Sequence, residues 1–197
     1  MTTESLLEAL RGATRAQHDE IESHLRLMEP LGLARYTAIV TGFDAFLGRW
    51  EPRIEAALPP HLRSWWRPRR RHAFAADDLR HLGAASTARD HAEAEAALAQ
   101  LPLQALPQAL GSMYVIEGSA LGGQVIAPKL QRELGLVPGA GASYFHGFGR
   151  DTGGMWRDFR DMLGREVDAS ETTVQQACAA ARGTFQALTQ LFRSLPA

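Results

Sequence analysis

Tyr114-Val-Ile-Glu-Gly-Ser-Ala-Leu-Gly-Gly-Gln-Val-Ile126 decides the reading of this chain. Apolar residues at Met113, Ile116, Ala120, Leu121 and Val125 follow helical spacing. Gly118, Gly122 and Gly123 interrupt it. A glycine costs about 0.8–1.0 kcal/mol relative to alanine inside a helix, so these three forfeit roughly 2.5–3 kcal/mol. Total stabilities are only about 5–15 kcal/mol. Two needs justify the loss. Another helix backbone in close contact is one, and Gly118-x-x-x-Gly122 has the small-xxx-small spacing that serves it. A flat ligand lying against bare backbone is the other. The doubled Gly122-Gly123 permits a kink, and Pro128 adds a bend or a stop.

The second informative stretch runs from Leu10 to Glu22. Leu6, Leu7, Leu10, Thr14, Gln17, Ile21 and Leu25 share helical spacing. Ser5 or Thr3 can cap its start, with Glu8 three residues after Ser5 as in a capping box. His18 lies on or beside the apolar face, and Glu22 is its i+4 neighbour. Such a pair is either a surface ion pair or a carboxylate that orients a metal-bound imidazole. Arg11 stands two turns before His18, about 10.5 Å along the helix axis.

The rest reads as helix. We expect helices near 4–25, 33–57, 59–66, 75–82, 88–99, 103–133, 151–166 and 168–194, with a loop over 136–143 and no sheet. At 197 residues the chain is read as one all-α domain spanning 1–197, large enough to bury about 70% of its unfolded surface. A net charge of −1 gives no global pointer to nucleic acid. Cys178 is the only cysteine and is expected to be a small buried hydrophobe. No signal-peptide pattern or membrane-length apolar run is present, and the tail from Phe192 to Ala197 does not read as an anchor. A cytoplasmic protein is expected. Arg63-Ser-Trp-Trp-Arg-Pro-Arg-Arg-Arg-His72 is the one charge run. It is a solvated loop between part-buried tryptophans, a dock for an acidic electron donor, or a contact for nucleic acid. The remaining histidines are expected to be structural, with His146 able to border a pocket.

Taken together, Ala13-Thr14-Arg15-Ala16-Gln17-His18 and Tyr114…Glu117-Gly118-Ser119-x-Leu121-Gly122-Gly123-Gln124 resemble the haem oxygenases, in the bacterial form often found beside bacteriophytochromes. Weaker agreement appears in Arg70-Arg71-His72…Asp78-Leu79-x-x-Leu82-Gly83 and in Tyr144-Phe145…Phe148…Trp156-x-x-Phe159. The resemblance implies a single-domain helical bundle with a kinked, glycine-rich helix over the distal face of haem. It implies that His18 ligates the haem iron, that Glu22 holds that histidine, and that Gly118, Gly122 and Gly123 bring bare backbone near the iron's other face. Arg11 and Tyr114 would reach the haem propionates, joined by Arg157 or, in its place, Arg160.

One position departs from the pattern. Many members carry an aspartate just after the first distal glycine, where this chain has Ser119. Serine both donates and accepts, whereas an ionised aspartate only accepts. A different water network follows, or one to which Glu117 contributes. The resemblance implies that haem is both substrate and cofactor, opened with O2 to biliverdin, carbon monoxide and ferrous iron. The chain has no flavin or nicotinamide signature, so electrons would come from a ferredoxin or a reductase, and a bacteriophytochrome is one receiver of the biliverdin. The main alternative is a haem carrier or sensor without turnover. A helical enzyme acting on a thiamin-related compound lacks an evident nucleophile, and a di-iron oxidase would need Glu-x-x-His sets that the sequence does not repeat.

Overall fold

Nine α-helices account for most of the described residues, which are 3–168, 170–193 and 195 of a computed structural model. They are α1 Thr3–Leu25, α2 Leu33–Ala57, α3 Pro60–Trp66, α4 His72–His81, α5 Ala88–Leu98, α6 Leu106–Leu134, α7 Ser143–His146, α8 Thr152–Glu166 and α9 Glu171–Phe192. Single 3-10 turns occupy Arg67–Arg69 and Gly149–Asp151. Among the described residues the only β pairing is a pair of isolated bridges from Val137 to Ala140 and Gly141.

Several boundaries are set by side chains distant in sequence. α4 starts three residues before the expected 75 because the Glu51 carboxylate accepts the N–H groups of Arg71 and His72, at 2.6 and 2.8 Å. That acceptor satisfies helix-start donors that local sequence leaves open. α7 is a single turn beyond the expected loop. The Asp78 carboxylate takes its first N–H groups, Ser143 at 2.7 Å and Tyr144 at 2.8 Å. α6 starts later than 103, where the Gln108 side chain accepts from Gln104 and Ala105 N–H. It then runs unbroken through all three glycines, and Pro128 does not stop it. It ends at Gly135, whose φ of 71° is the left-handed cap conformation that glycine tolerates best. α1 begins at Thr3, so Ser5 lies inside the first turn and not at the cap. The expected helix over 168–194 is α9, capped by Ser170; Ala169 and Ser194, like Pro196 and Ala197 of the tail, lie outside the described residues.

α9 is the common support. It packs along both α1 and α6. At its crossing with α6, a Cβ on Gly111 would sit 2.1 Å from the Ala177 carbonyl oxygen, so only glycine admits this approach. A polar thread fastens the same crossing to α2. The buried Trp50 indole N–H donates to Ser112 Oγ at 2.8 Å, and Ser112 shares a 2.6 Å hydrogen bond with Thr184. Cys178 is buried here, as expected.

The charge run contradicts the solvated-loop reading. Arg67 and Arg70 are exposed and pair with Glu55, but Arg69 and Arg71 are each only 3% exposed. Arg69 stacks on Trp65 at 4.2 Å and bridges Glu117 of α6 to Asp158 of α8. Alternating burial along an irregular segment gave no helical or strand period to read.

Candidate functional site

α1 and α6 both lean on α9, and a cavity of about 600 Å³ opens between them. That volume is within the roughly 300–1,000 Å³ usual for small-molecule and cofactor sites. Phe43, Tyr144, Phe145, Trp156 and Phe185 make much of its wall aromatic.

α1 contributes His18, Glu22, Arg11 and Arg15. Four-residue spacing puts His18 and Glu22 on one face. His18 Nδ1 lies 3.7 Å from Glu22 Oε2, an ion-pair distance beyond hydrogen-bond range. Nε2 is thereby left as the nitrogen without that neighbour. The Phe185 ring meets the imidazole edge to face, with centroids 5.8 Å apart. His18 is 54% exposed at its side chain, so it is open to a ligand. His18, Asp19 and Glu22 bring ligand atoms within 4.8 Å of one another, all on exposed side chains. Arg11 and Arg15 show no ion pair or hydrogen bond among the described residues. Tyr114 is half-buried on the facing helix, and its ring lies 5.7 Å from Trp156. Burial pushes the Tyr114 phenol up, and the Arg11 cation draws it back.

The α6 glycines divide between the two needs that could justify them. A Cβ on Gly122 would meet nothing within 4 Å, and one on Gly118 would meet only the Trp156 ring at 3.8 Å. Both line the cavity and leave its wall bare. Gly123 points elsewhere: a Cβ there would lie 2.1 Å from the Phe145 carbonyl oxygen. Its missing side chain serves helix packing against α7. Glu117 also faces away from the cavity, buried against Arg69 Nη1 at 3.0 Å. Burial raises its carboxyl above the usual carboxylate range, against the pull of Arg69.

Ser119 lines the cavity. Its hydroxyl donates to the Ile116 carbonyl at 2.7 Å and accepts from Arg71 Nη1 at 3.1 Å. Arg71 also donates to the carbonyls of Ile116 and Tyr144, each at 3.0 Å, with its guanidinium 4.4 Å over the Tyr144 ring.

The cavity thus gathers His18, Glu22, Arg11, Tyr114, Gly118, Ser119 and Gly122, and leaves out Glu117, Gly123 and His146. Arg157 is exposed and outside the lining, and Arg160 turns toward Glu4 at 3.4 Å. Trp156, the residue before Arg157, is the α8 residue that lines the cavity. Two cavity cations escaped the sequence reading. Arg15 was findable, since it stands three residues before His18 on the same face. Arg71 was hidden inside the charge run.

An imidazole with a free nitrogen, a bare wall, aromatic sides and unpaired cations are the features a flat, iron-bearing, dicarboxylate macrocycle requires. The fold and cavity therefore define a helical protein with a broad, aromatic-walled small-molecule site. A model of the family described as "Heme oxygenase" matches residues 4–194, and the chain belongs to that enzyme family. It is 32% identical over 156 residues to a heme oxygenase of Xanthomonas campestris pv. campestris, covering 78% of this chain and 81% of that one. Its fold is similar to that of a heme oxygenase from Leptospira interrogans (TM-score 0.79, 21% identity, 97% of this chain and all of that one). It is also similar to the NO- and CO-bound enzyme from Neisseria meningitidis (TM-score 0.72, 21% identity, 99% and 92% of the two chains). Heme oxygenase 2 of Chlamydomonas reinhardtii, solved without heme, gives a TM-score of 0.76 at 15% identity over 97% of each chain.

Proposed function

We propose that this chain, acting as one domain, opens haem to biliverdin with release of carbon monoxide and ferrous iron. The pairing of His18 with bare glycine backbone in one cavity carries this reading. Haem is substrate and cofactor together, and its iron supplies the oxygen chemistry when bound. His18 Nε2 holds the iron, and Glu22 beside Nδ1 fixes the ring's orientation. A neutral imidazole lacks the electron push of a thiolate, which favours O–O cleavage. Arg11, Arg15 and Tyr114 clamp the propionates and set the ring's rotation in its plane. Gly118 and Gly122 let the ring and O2 approach the backbone. Ser119 spends its proton on Ile116 and accepts from Arg71, so toward any water it acts as an acceptor. The aromatic wall limits water elsewhere. Gly123 and Glu117 act at one remove by fixing α6 against α7 and Arg69.

No helix of the described residues is long and apolar enough to cross a membrane. The reading places the enzyme in the cytoplasm, supplied by a separate donor such as a ferredoxin or a reductase. A bacteriophytochrome is the product's receiver suggested by the sequence resemblance.

The test is to add one equivalent of haem, then ascorbate in air, and follow the visible spectrum. A Soret band that decays into the broad red absorbance of biliverdin is expected. His18→Ala is expected to lose the imidazole-ligated spectrum and turnover. A stable Soret band in the unmodified protein would replace this reading with a carrier or sensor, and no Soret band would end it.

A further inference from the structure

Arg71 is a buried cation on the cavity wall whose guanidinium has no carboxylate at ion-pair distance among the described residues, the buried Glu117 acting on it only at longer range. Its three hydrogen bonds go to neutral acceptors: the Ile116 and Tyr144 carbonyls and Ser119 Oγ. The one carboxylate in contact with this residue, Glu51, takes its backbone N–H instead. The Arg71 Nε–H is enclosed without a partner. Beside it stands Tyr144, 1% exposed, whose hydroxyl lies near the Ser119 side chain but meets no partner in good hydrogen-bond geometry among the described residues. Burying a charge is costly unless it is paired, and a buried polar group left unmatched asks for an explanation. Elsewhere the chain meets this requirement: neighbouring Arg69, equally buried, has both Glu117 and Asp158.

We infer that Arg71 and the Tyr144 hydroxyl form an anion-recognising corner of the cavity, completed by negative charge that arrives with a small ligand. This rests on the haem reading above and adds to it the class of small ligand favoured there: anionic over neutral. Arg71 lies in the α3–α4 connection and Tyr144 in α7, so neither belongs to the glycine-rich helix. Ser119 Oγ and the Ile116 carbonyl tie the guanidinium to that helix. Because position 119 holds a neutral serine and not a carboxylate, the guanidinium keeps its charge for an incoming anion. It favours an anion at the cavity wall and orients any water held there with its oxygen toward the guanidinium. A guanidinium between two backbone carbonyls is fixed before a ligand arrives, so little reorganisation opposes binding.

The test is ligand affinity of the ferric haem complex, read from Soret shifts, with azide as the anionic probe and imidazole as the neutral one. Arg71→Met is expected to weaken azide about ten- to a hundredfold, the range of a hydrogen bond to a charged group. Imidazole should change by no more than about twofold, within the scatter of an unaltered contact. Arg71→Lys, which keeps the charge, should fall between. Tyr144→Phe removes one hydroxyl and keeps the ring that packs in the core, so it should fold and weaken azide about two- to tenfold. If Arg71→Met does not fold, Tyr144→Phe decides. Intact Soret bands with unchanged azide affinity overturn this inference alone. Equal losses for azide and imidazole overturn it too, since they signal a distorted cavity. An unmodified chain that forms no Soret band defeats the haem reading and this inference together.

Discussion

Replacing Gly122 and Gly123 by alanine, one at a time, separates the two uses of bare backbone in a pair of adjacent positions. Both substitutions gain about 0.8–1.0 kcal/mol of helix propensity. At Gly122 nothing lies within 4 Å of the added methyl, so the gain is expected in full for the apoprotein. For a chain of this size it raises Tm by about 2–4 °C. The same methyl occupies the bare wall of the cavity, so haem affinity should fall. At Gly123 the methyl would lie 2.1 Å from a backbone oxygen, about 1.3 Å inside the 3.4 Å where ordinary contact begins. A carbonyl in a turn pinned by Asp78 and Arg71 cannot rotate aside like a flexible side chain. Overpacking of this kind costs about 1–3 kcal/mol, and the rigid partner puts the cost near the upper end. The net loss is about 2 kcal/mol, or about 4–8 °C in Tm. Thermal unfolding of the apoproteins by circular dichroism, with haem titration alongside, gives both readouts. Shifts of the same sign in the two variants would refute the division of labour.

Three further outcomes are expected. Ser112→Ala leaves the buried Trp50 indole N–H and the Thr184 hydroxyl without their shared partner; urea unfolding should show a loss of about 1–3 kcal/mol, and a loss under about 0.5 kcal/mol, the level of ordinary surface changes, would count against the thread. Glu133 accepts from Lys129 Nζ at 2.5 Å and the Leu31 N–H at 3.3 Å, and chiefly the Lys129 hydrogen bond lowers its carboxyl below the usual range. A depressed folded-state value means stability that is present above the unfolded value of about 4.3 and is lost as pH falls through the folded value. The advantage of the unmodified chain over Glu133→Gln in urea midpoint should therefore be seen at neutral pH and disappear on acidification; an advantage that grows toward low pH would contradict the assignment. Arg11→Ala and Arg15→Ala should each weaken haem binding a few-fold, the scale of exposed ion pairs of about 0.2–1 kcal/mol, with the difference shrinking as salt is raised. Salt-independent losses would point away from a propionate clamp.

The helices and their order were legible because apolar spacing is a local signal. Pro30, Gly32, Gly83 and Pro102 marked breaks that α2, α4 and α6 respect. Where the reading failed, the cause lay across the fold. Glu51 starts α4, Asp78 starts α7, and Arg69 and Arg71 enter the interior because acceptors await them on α6, α7 and α8. The same limit applied to the glycines. Gly118, Gly122 and Gly123 are equivalent in a string of letters, and only the position of the Phe145 carbonyl tells the third from the others. His18, Glu22 and Arg11 were legible as one helical face, and the cavity gathers all three. Along α8 a shift of one residue turns a side chain by about 100°, so spacing alone does not tell Arg157 from its neighbours. The structure gives the inward position to Trp156.

The support that α9 gives to both α1 and α6 has a consequence for synthesis. α1, which carries His18, leaves the ribosome first, and α9 begins at residue 171. At about 5–20 residues per second, α1 waits on the order of ten seconds for the helix it packs against. During that interval Leu6, Leu7, Leu10 and Ile21, all buried in the finished fold, have no α9 surface to cover them. Phe185 and Leu188 of α9 line the cavity too, so a nascent chain cannot assemble the whole pocket before those residues are made. The order of translation thus withholds the cavity until α9 has been made, and a chain cut short before α9 would carry His18 without its pocket.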